Sequence, residues 1–484
     1  MKRFMTMILV LMLCGCATYA PPKLGDPSRK VEEQLLAQID TQKWAEKTLR
    51  ISPNNQRVAY MSKIGDQWAV TVDGKTHKKY DDLKDSIVFS PDSQHMAYSA
   101  KIGEKWVSVM DGQEGKLYDA IGDSSVTFSP DSQRWAYIVL EDNQQLVVAD
   151  GQEHKRYEGI YSVPVFSPDS RQLAYVAKEG SKKFVVMNGE EQKRYLIVGA
   201  DLVFSPDSQK FAYAAGNDRG YFIVLNGEEQ VAYDGIIGSM GFSPDSQRFF
   251  YGASQEKKYF IVLDGIEQAR HDGLMTEHAF SPDSQKFAYG AKEGRDKYFI
   301  VVNGEEGKRY DTLLKGLFFS PDSQRLIYGV QQGEKMFAVL DGIEQESFDE
   351  IWFDSEVVFS PDSQHVVYMA VRDKKQLVLL DGMAQPEYPN IVKGTFAFSP
   401  DSQKFTYGVQ QGGYRFMIID GKEGARYSAI VLLGGGNVLF DSPSSITYIA
   451  SQFDFTISPP AIGIYLVRDR IEEIVEGEAE SVQN

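Results

Sequence analysis

The side chains able to do chemistry are scattered through this chain instead of standing at the spacing that chemistry needs. Six histidines (His77, His95, His154, His271, His278 and His365) share no ligand spacing, and no His-Glu-x-x-His pair spells out a zinc site. There is no Gly-x-Ser-x-Gly elbow for an acyl-transfer serine, no phosphate-cradling loop, no EF-hand loop and no thiolate cluster. Carboxylates number 68, so two of them converging in a cleft as a glycosidase pair is the one reaction the composition leaves open. These residues assign no catalytic group, no metal ligand and no cofactor.

What the chain does space regularly is a turn. Phe-Ser-Pro-Asp-Ser recurs from Phe89-Ser90-Pro91-Asp92-Ser93 to Phe398-Ser399-Pro400-Asp401-Ser402. Its prolines stand at 53, 91, 130, 168, 206, 244, 282, 321, 361 and 400, a period of 38 to 40 residues that marks a repeat architecture. Five residues after each proline stands a large apolar residue, from Val58 and Met96 to Phe287 and Phe405. Seven after it stands tyrosine in every copy, from Tyr60 to Tyr407. The positions between are mostly small, which is the period of two of a strand with one bulky and one small face.

An apolar run such as Phe260-Ile261-Val262-Leu263 follows, as expected of a strand covered on both faces. It ends at an Asp-Gly or Asn-Gly pair, which favours a tight hairpin needing positive φ at both central residues. A polar strand then closes on an aromatic column, Tyr80 to Tyr427. Each copy is therefore read as four short antiparallel strands, one propeller blade, with the bulky face of one blade packing on the small face of the next. A solenoid is the alternative, although its parallel strands need no hairpin in each copy.

The string Phe-Ser-Pro-Asp-Ser-Gln-x-x-Ala-Tyr followed by an Asp-Gly turn resembles the WD40-like repeat of TolB-type propellers, over residues 48–430. The resemblance implies an all-β propeller and says little about function. The chain departs from that repeat in having Phe for the commoner Trp, and Ser for the Gly after Asp. An irregular copy after residue 430 raises the count from ten blades to eleven. That exceeds the usual four to eight per ring, so two tandem rings are expected in preference to one large ring, with a seam near Leu196-Ile197.

The chain divides at the sequence level into a signal segment 1–15, a tether with a short helix 16–47, propeller repeats 48–470 and an acidic tail 471–484. Lys2, Arg3 and the apolar run Met5 to Leu13 precede Leu13-Cys14-Gly15-Cys16, which resembles a bacterial lipobox. The resemblance implies cleavage after Gly15 and a lipidated Cys16; the Ala17 that follows favours the outer membrane, facing the periplasm. An ordinary secretory signal is the alternative. Asp26 and Pro27 suit a helix start, and Val31, Leu35, Leu36 and Ile39 fall on one helical face. Without residues 1–15, 49 basic residues face 68 acidic ones, a balance of −19 that argues against nucleic acid and an anionic membrane face as partners.

Antiparallel order puts the Ser-Pro-Asp-Ser and Asp-Gly turns on one rim and the other two connections on the opposite rim. The first rim is uniform. The second varies, with Tyr161, Met275, His278, Trp352 and Phe353 as candidate contacts for an envelope protein or ligand, or else as filling for the ring mouth. The expected function is non-catalytic binding or scaffolding; the alternative is an envelope enzyme acting on polysaccharide or a periplasmic metabolite.

Overall fold

The computed structural model describes residue 26 and residues 28–471, apart from 46, 85–86, 123–125, 354–356, 433–434, 455 and 457–458. The signal segment, Cys16, most of the tether and the acidic tail beyond Ile471 lie outside the described residues.

Each repeat folds into one antiparallel sheet, and there are eleven sheets. Blade 6 shows the rule. Its inner strand Gly235–Phe242 pairs with Phe249–Gln255, then Lys258–Leu263, then the short outer strand Ile266–Glu267. Asp264 and Gly265 take φ of 54° and 78°, the hairpin the sequence called for. The central residues of the third strand are buried, and its neighbours on either side cover both faces.

Packing between blades follows the large/small alternation. Ala174 and Val176 of blade 4 receive Tyr213 and Phe222 of blade 5; Ala97 of blade 2 receives Tyr118 and Tyr137. Such clusters join every blade to the next, and the last to the first: Ile51, Val58 and Tyr60 pack with Ile449, Ile464 and Leu466. The propeller is therefore a single ring of eleven blades, and the two-ring expectation is corrected. Two rings would need blade 5 or a neighbour to turn back on blade 1. Instead Tyr195 and Val198, at the expected seam, are core residues between blades 4 and 5.

The repeated motif also ties the blades together. In blade 2 the Ser90 hydroxyl donates to Asp92 Oδ1, which also accepts the Gln94 amide at 2.9 Å. Those bonds hold the Asp92 carboxyl below the usual carboxylate range, Ser90 having the largest effect. The Asp92 amide donates in turn to Ser132 Oγ of blade 3, at 3.0 Å. The same bond recurs from blade 1 through blade 10, for example Asp207 N to Ser246 Oγ at 3.0 Å and Asp362 N to Ser402 Oγ at 2.9 Å. At the closing interface Asn437 N donates to Asn55 Oδ1 and Asn55 Nδ2 to Asn437 O. The second serine sits at φ between 62° and 66° in all nine copies, where glycine would be unstrained. Its hydroxyl explains the departure from glycine: the strain holds an inter-blade latch.

The expected N-terminal helix is a strand instead. Arg29–Asp40 runs antiparallel to Ala461–Ile471 and forms the outer strand of blade 11. The apolar positions fit either period. An otherwise open sheet edge decides between them, because its amides and carbonyls need partners. Ala37 and Ile39 are buried, and a bulge between Leu35 and Ala37 leaves Leu35 53% exposed. The closure is fastened by Arg29 and Asp469, with side chains 1% and 0% exposed, Arg29 Nε donating to Asp469 Oδ1 at 2.8 Å. Arg29 Nη1 donates to Lys422 O at 2.7 Å. Gly424 leaves room for the pair, since a Cβ there would lie 2.8 Å from both Arg29 and Asp469. The Glu33 carboxylate accepts the Tyr427 hydroxyl, as Glu153 and Glu344 accept Tyr118 and Tyr310 between other blades.

Candidate functional site

The two rims divide as expected. The Asp111 carboxylate of an Asp-Gly turn accepts the Met96 amide beside the Ser-Pro-Asp-Ser turn, at 2.9 Å. On the opposite rim Asp81, after the aromatic column, accepts Gly103 N of the neighbouring hairpin at 2.7 Å. Between the rims the inner strands of successive blades approach one another around a central channel.

Of the candidate contact residues Met275, His278 and Trp352 stand on those inner strands, and Tyr161 and Phe353 directly follow strand ends. Tyr161 follows Gly159–Ile160, Met275 and His278 lie within Gly273–Phe280, and Trp352 ends Glu350–Trp352. Tyr161 is 47% exposed, with Lys183 Nζ 4.1 Å from its ring centre; Gly159 makes room for the ring. Trp352 donates from Nε1 to Glu350 at 3.1 Å, and Lys393 of the next blade lies 3.8 Å from its ring centre. Phe353 is corrected as a contact residue. It is 2% exposed, packs on Tyr368 and belongs to the core between blades 8 and 9. The five residues do not form one site: Met275 and His278 are together in blade 7, while Tyr161 is in blade 4 and Trp352 in blade 9.

Met275 and His278 line a cavity of about 450 Å³ between blades 6 and 7, with Ile237, Phe250 and Ile261 as its apolar wall and Ser239, Thr276 and Lys292 as polar lining. The His278 ring lies 4.6 Å from that of Phe250. Burial holds its imidazole below the usual value, with the Thr276 backbone and Glu277 opposing. Burial lowers His77, His154 and His271 in the same way, and what sets His278 apart is the cavity it lines. His77, His154 and His271 sit within 3.2–3.4 Å of the hydroxyls of Tyr98, Tyr175 and Tyr289, and His95 and His365 meet turn carboxylates. A smaller cavity of about 190 Å³ lies between blades 8 and 9 on the uniform rim. Among the described residues no cluster of three His, Cys, Asp or Glu is placed to hold a metal ion.

What opens the inner wall is the residue one past the tyrosine column. It is Ala214, Gly252, Gly290, Gly329 and Gly408 in blades 5 to 8 and 10, and there each inner strand runs unbroken for eight or nine residues. A Cβ on Gly252 would lie 2.4 Å from Ile237 O, and one on Gly290 2.7 Å from Met275 Cβ. In blades 2, 3, 4, 9 and 11 the position holds Ser99, Ile138, Val176, Met369 and Ile449, and the inner strand is split in two. The sequence shows the positions just beyond the tyrosine as mostly small, Ala214 and Gly290 among them, but not the cavity that they open.

No family model matches the chain, and no curated protein matches it. Solved structures do. A eukaryotic initiation factor aligns at 15% identity, covering 68% of this chain and 91% of that one, with a TM-score of 0.39. TolB from Acinetobacter baumannii aligns at 13% identity over 60% of this chain and 79% of its own, with a TM-score of 0.25. The dihydro-heme d1 dehydrogenase NirN aligns at 13% identity over 60% and 73%, with a TM-score of 0.31. At such scores the assignment of a propeller rests on the eleven sheets themselves.

Proposed function

We propose that the protein is a non-catalytic, lipid-anchored binding or scaffold propeller of the bacterial envelope that engages a protein or ligand at its inner wall. The observation that carries this reading is the contrast between its surfaces. The uniform rim is occupied by turns latched to one another in copy after copy, whereas the inner strands differ from blade to blade and enclose a cavity between blades 6 and 7. That cavity has the mixture expected of a binding site, an apolar wall with a few polar groups. The lipobox at Leu13-Cys14-Gly15-Cys16 supports the anchor and the envelope address.

The test is photo-cross-linking in intact cells from Thr276, which lines the cavity, and from Gln285, exposed on the uniform rim. Thr276 should trap a specific partner that Gln285 does not, and Trp352→Ala or Tyr161→Ala should weaken any partner spanning the channel. Equal cross-linking from both positions would refute the placement. Activity profiling of protein lacking the lipid checks the enzymatic alternative: turnover abolished by a single inner-wall change such as Glu277→Gln would overturn the non-catalytic reading.

A further inference from the structure

The first described residues leave the ring at a defined place. Asp26 N donates to Glu423 O at 2.9 Å and Arg29 Nη1 reaches Lys422 O, both just past the Asp420-Gly421 turn of blade 10. At the other end Ile471 N donates to Ser444 O, in the turn of blade 11 that stands where the other blades have Ser-Pro-Asp-Ser. Both ends of the described chain therefore emerge on the uniform rim, the N-terminal end at its outer edge. Ten residue steps separate Asp26 from Cys16, a span of at most about 35 Å.

The same rim carries an independent feature. The residue directly after the Asp-Gly turn is polar in seven blades, among them Lys75, Gln113, Glu305 and Lys422. In blades 6, 8 and 9 it is Ile266, Ile343 and Met383, each 67% exposed and the most exposed large hydrophobics among the described residues. All three stand at the outer corner of the rim from which the tether leaves. Isolated apolar side chains are ordinary on a protein surface. Three at one repeat position on this rim fit an interface with the lipid headgroups, where side chains of this kind insert shallowly.

We infer that the uniform rim is the membrane-facing surface of the protein, with Ile266, Ile343 and Met383 touching a lipid surface, and that the opposite rim and channel mouth point away from the membrane. This rests on the lipid at Cys16 in the proposed function. Tether length opposes the inverted arrangement. A seven-residue strand spans roughly 23 Å from rim to rim, so turning the ring over would use most of the tether to climb one blade. The bilayer chemistry that suits the rim is zwitterionic, because the mature chain's balance of −19 disfavours an anionic face.

The experiment uses the full lipidated chain in vesicles of phosphatidylethanolamine and phosphatidylcholine carrying nitroxide-labelled lipid. Gln364→Cys on the uniform rim of blade 9 and Glu334→Cys on the opposite hairpin of blade 8 give exposed positions for a fluorophore in adjacent blades. Lipid quenching should be several-fold stronger at Gln364→Cys, and the triple change I266S/I343S/M383S should reduce it at least twofold. Quenching at Glu334→Cys equal to or above that at Gln364→Cys overturns the orientation, as does its absence at both positions with protein cross-links on the uniform rim, which would give Ile266, Ile343 and Met383 to a protein partner. Radiolabelled fatty-acid incorporation, compared with Cys16→Ser, separates the premise: intact incorporation with the wrong quenching pattern defeats this inference alone, whereas no incorporation defeats the anchor and the orientation with it.

Discussion

Removing Arg29 tests whether the ring is closed by its N-terminal strand. In Arg29→Met the Asp469 carboxylate loses its Nε bond at 2.8 Å and its second guanidinium contact, keeping only the Tyr448 hydroxyl at 3.5 Å. Both charges are buried, and deleting one partner of such a pair costs about 3–5 kcal/mol. The strand Arg29–Asp40 is an edge element held by one neighbour, so the loss should appear as local opening of that strand. Backbone amides of Val31 to Ile39 that pair with the neighbouring strand should exchange roughly 10²- to 4 × 10³-fold faster, those of blades 4 to 6 unchanged. The double variant R29M/D469L, which removes both charges and keeps the volume apolar, should recover most of the protection. Exchange in Arg29→Met within about fivefold of the parent, or no recovery in the double variant, would refute the closure argument.

The defect also has a sign with pH. Burial raises the Asp469 carboxyl above its ordinary value, while Arg29 opposes that rise. Without Arg29 the folded value lies further above the unfolded one, so the folded state binds the extra proton. Stability then falls as pH rises from the unfolded value to the folded one, and the Arg29→Met defect should shrink on acidification toward pH of about 4. A defect that grows there would mean the charge is not the cause.

The latch serine at Ser246 predicts an unusual order in urea unfolding. Ser246→Ala loses the bond to Asp207 N and keeps the strained φ of 64°, costing about 2 kcal/mol, whereas Ser246→Gly loses the bond but relieves the strain and should cost about 1 kcal/mol less. Phe287→Ala should cost about 3–5 kcal/mol because the ring is buried against Phe250 and Tyr289, and half-buried Phe211→Ala clearly less; equal losses would contradict the packing. The turn carboxylates from Asp92 to Asp401 are held below the ordinary aspartate value, first by their serine hydroxyls. Their contribution is present above the unfolded value and lost as pH falls through the folded ones, so circular dichroism on acid titration should show unfolding there, less steeply in Asp207→Asn.

The blade was legible because each of its parts is local. Proline, Asp-Gly and a two-residue period need no distant neighbour to be read. The ring count was not local. Eleven equal steps turn the chain by about 33° per blade, and that small angle is set where Ala174 meets Tyr213, at an interface every copy shares. Val31, Leu35, Leu36 and Ile39 satisfied a helix and a strand alike, and the sheet edge that settled the matter is formed by Ala461–Ile471, at the other end of the chain. Trp352 and Phe353 look equivalent as neighbours, but successive residues of an extended chain face opposite ways, Trp352 half-buried against blade 10 and Phe353 into the core between blades 8 and 9.

The inner wall then follows from one residue per blade. A glycine after the column tyrosine lets the inner strand lie against the second strand, and its bulge fills the space a Cβ would have taken, as Met275 does over Gly290. A larger residue there, such as Met369, accompanies a divided inner strand and a different wall. Such a change leaves the turns and latches of the uniform rim in place, because these lie beyond the end of the inner strand. The channel can therefore be reshaped blade by blade at little cost to the ring, and blades 5 to 8, with four small residues in succession, form the arc that holds the cavity. A surface that can vary without endangering closure is where a repeat protein places specificity. For that reason the cavity beside His278, not the insistent Phe-Ser-Pro-Asp-Ser motif, is the place to test for the proposed binding.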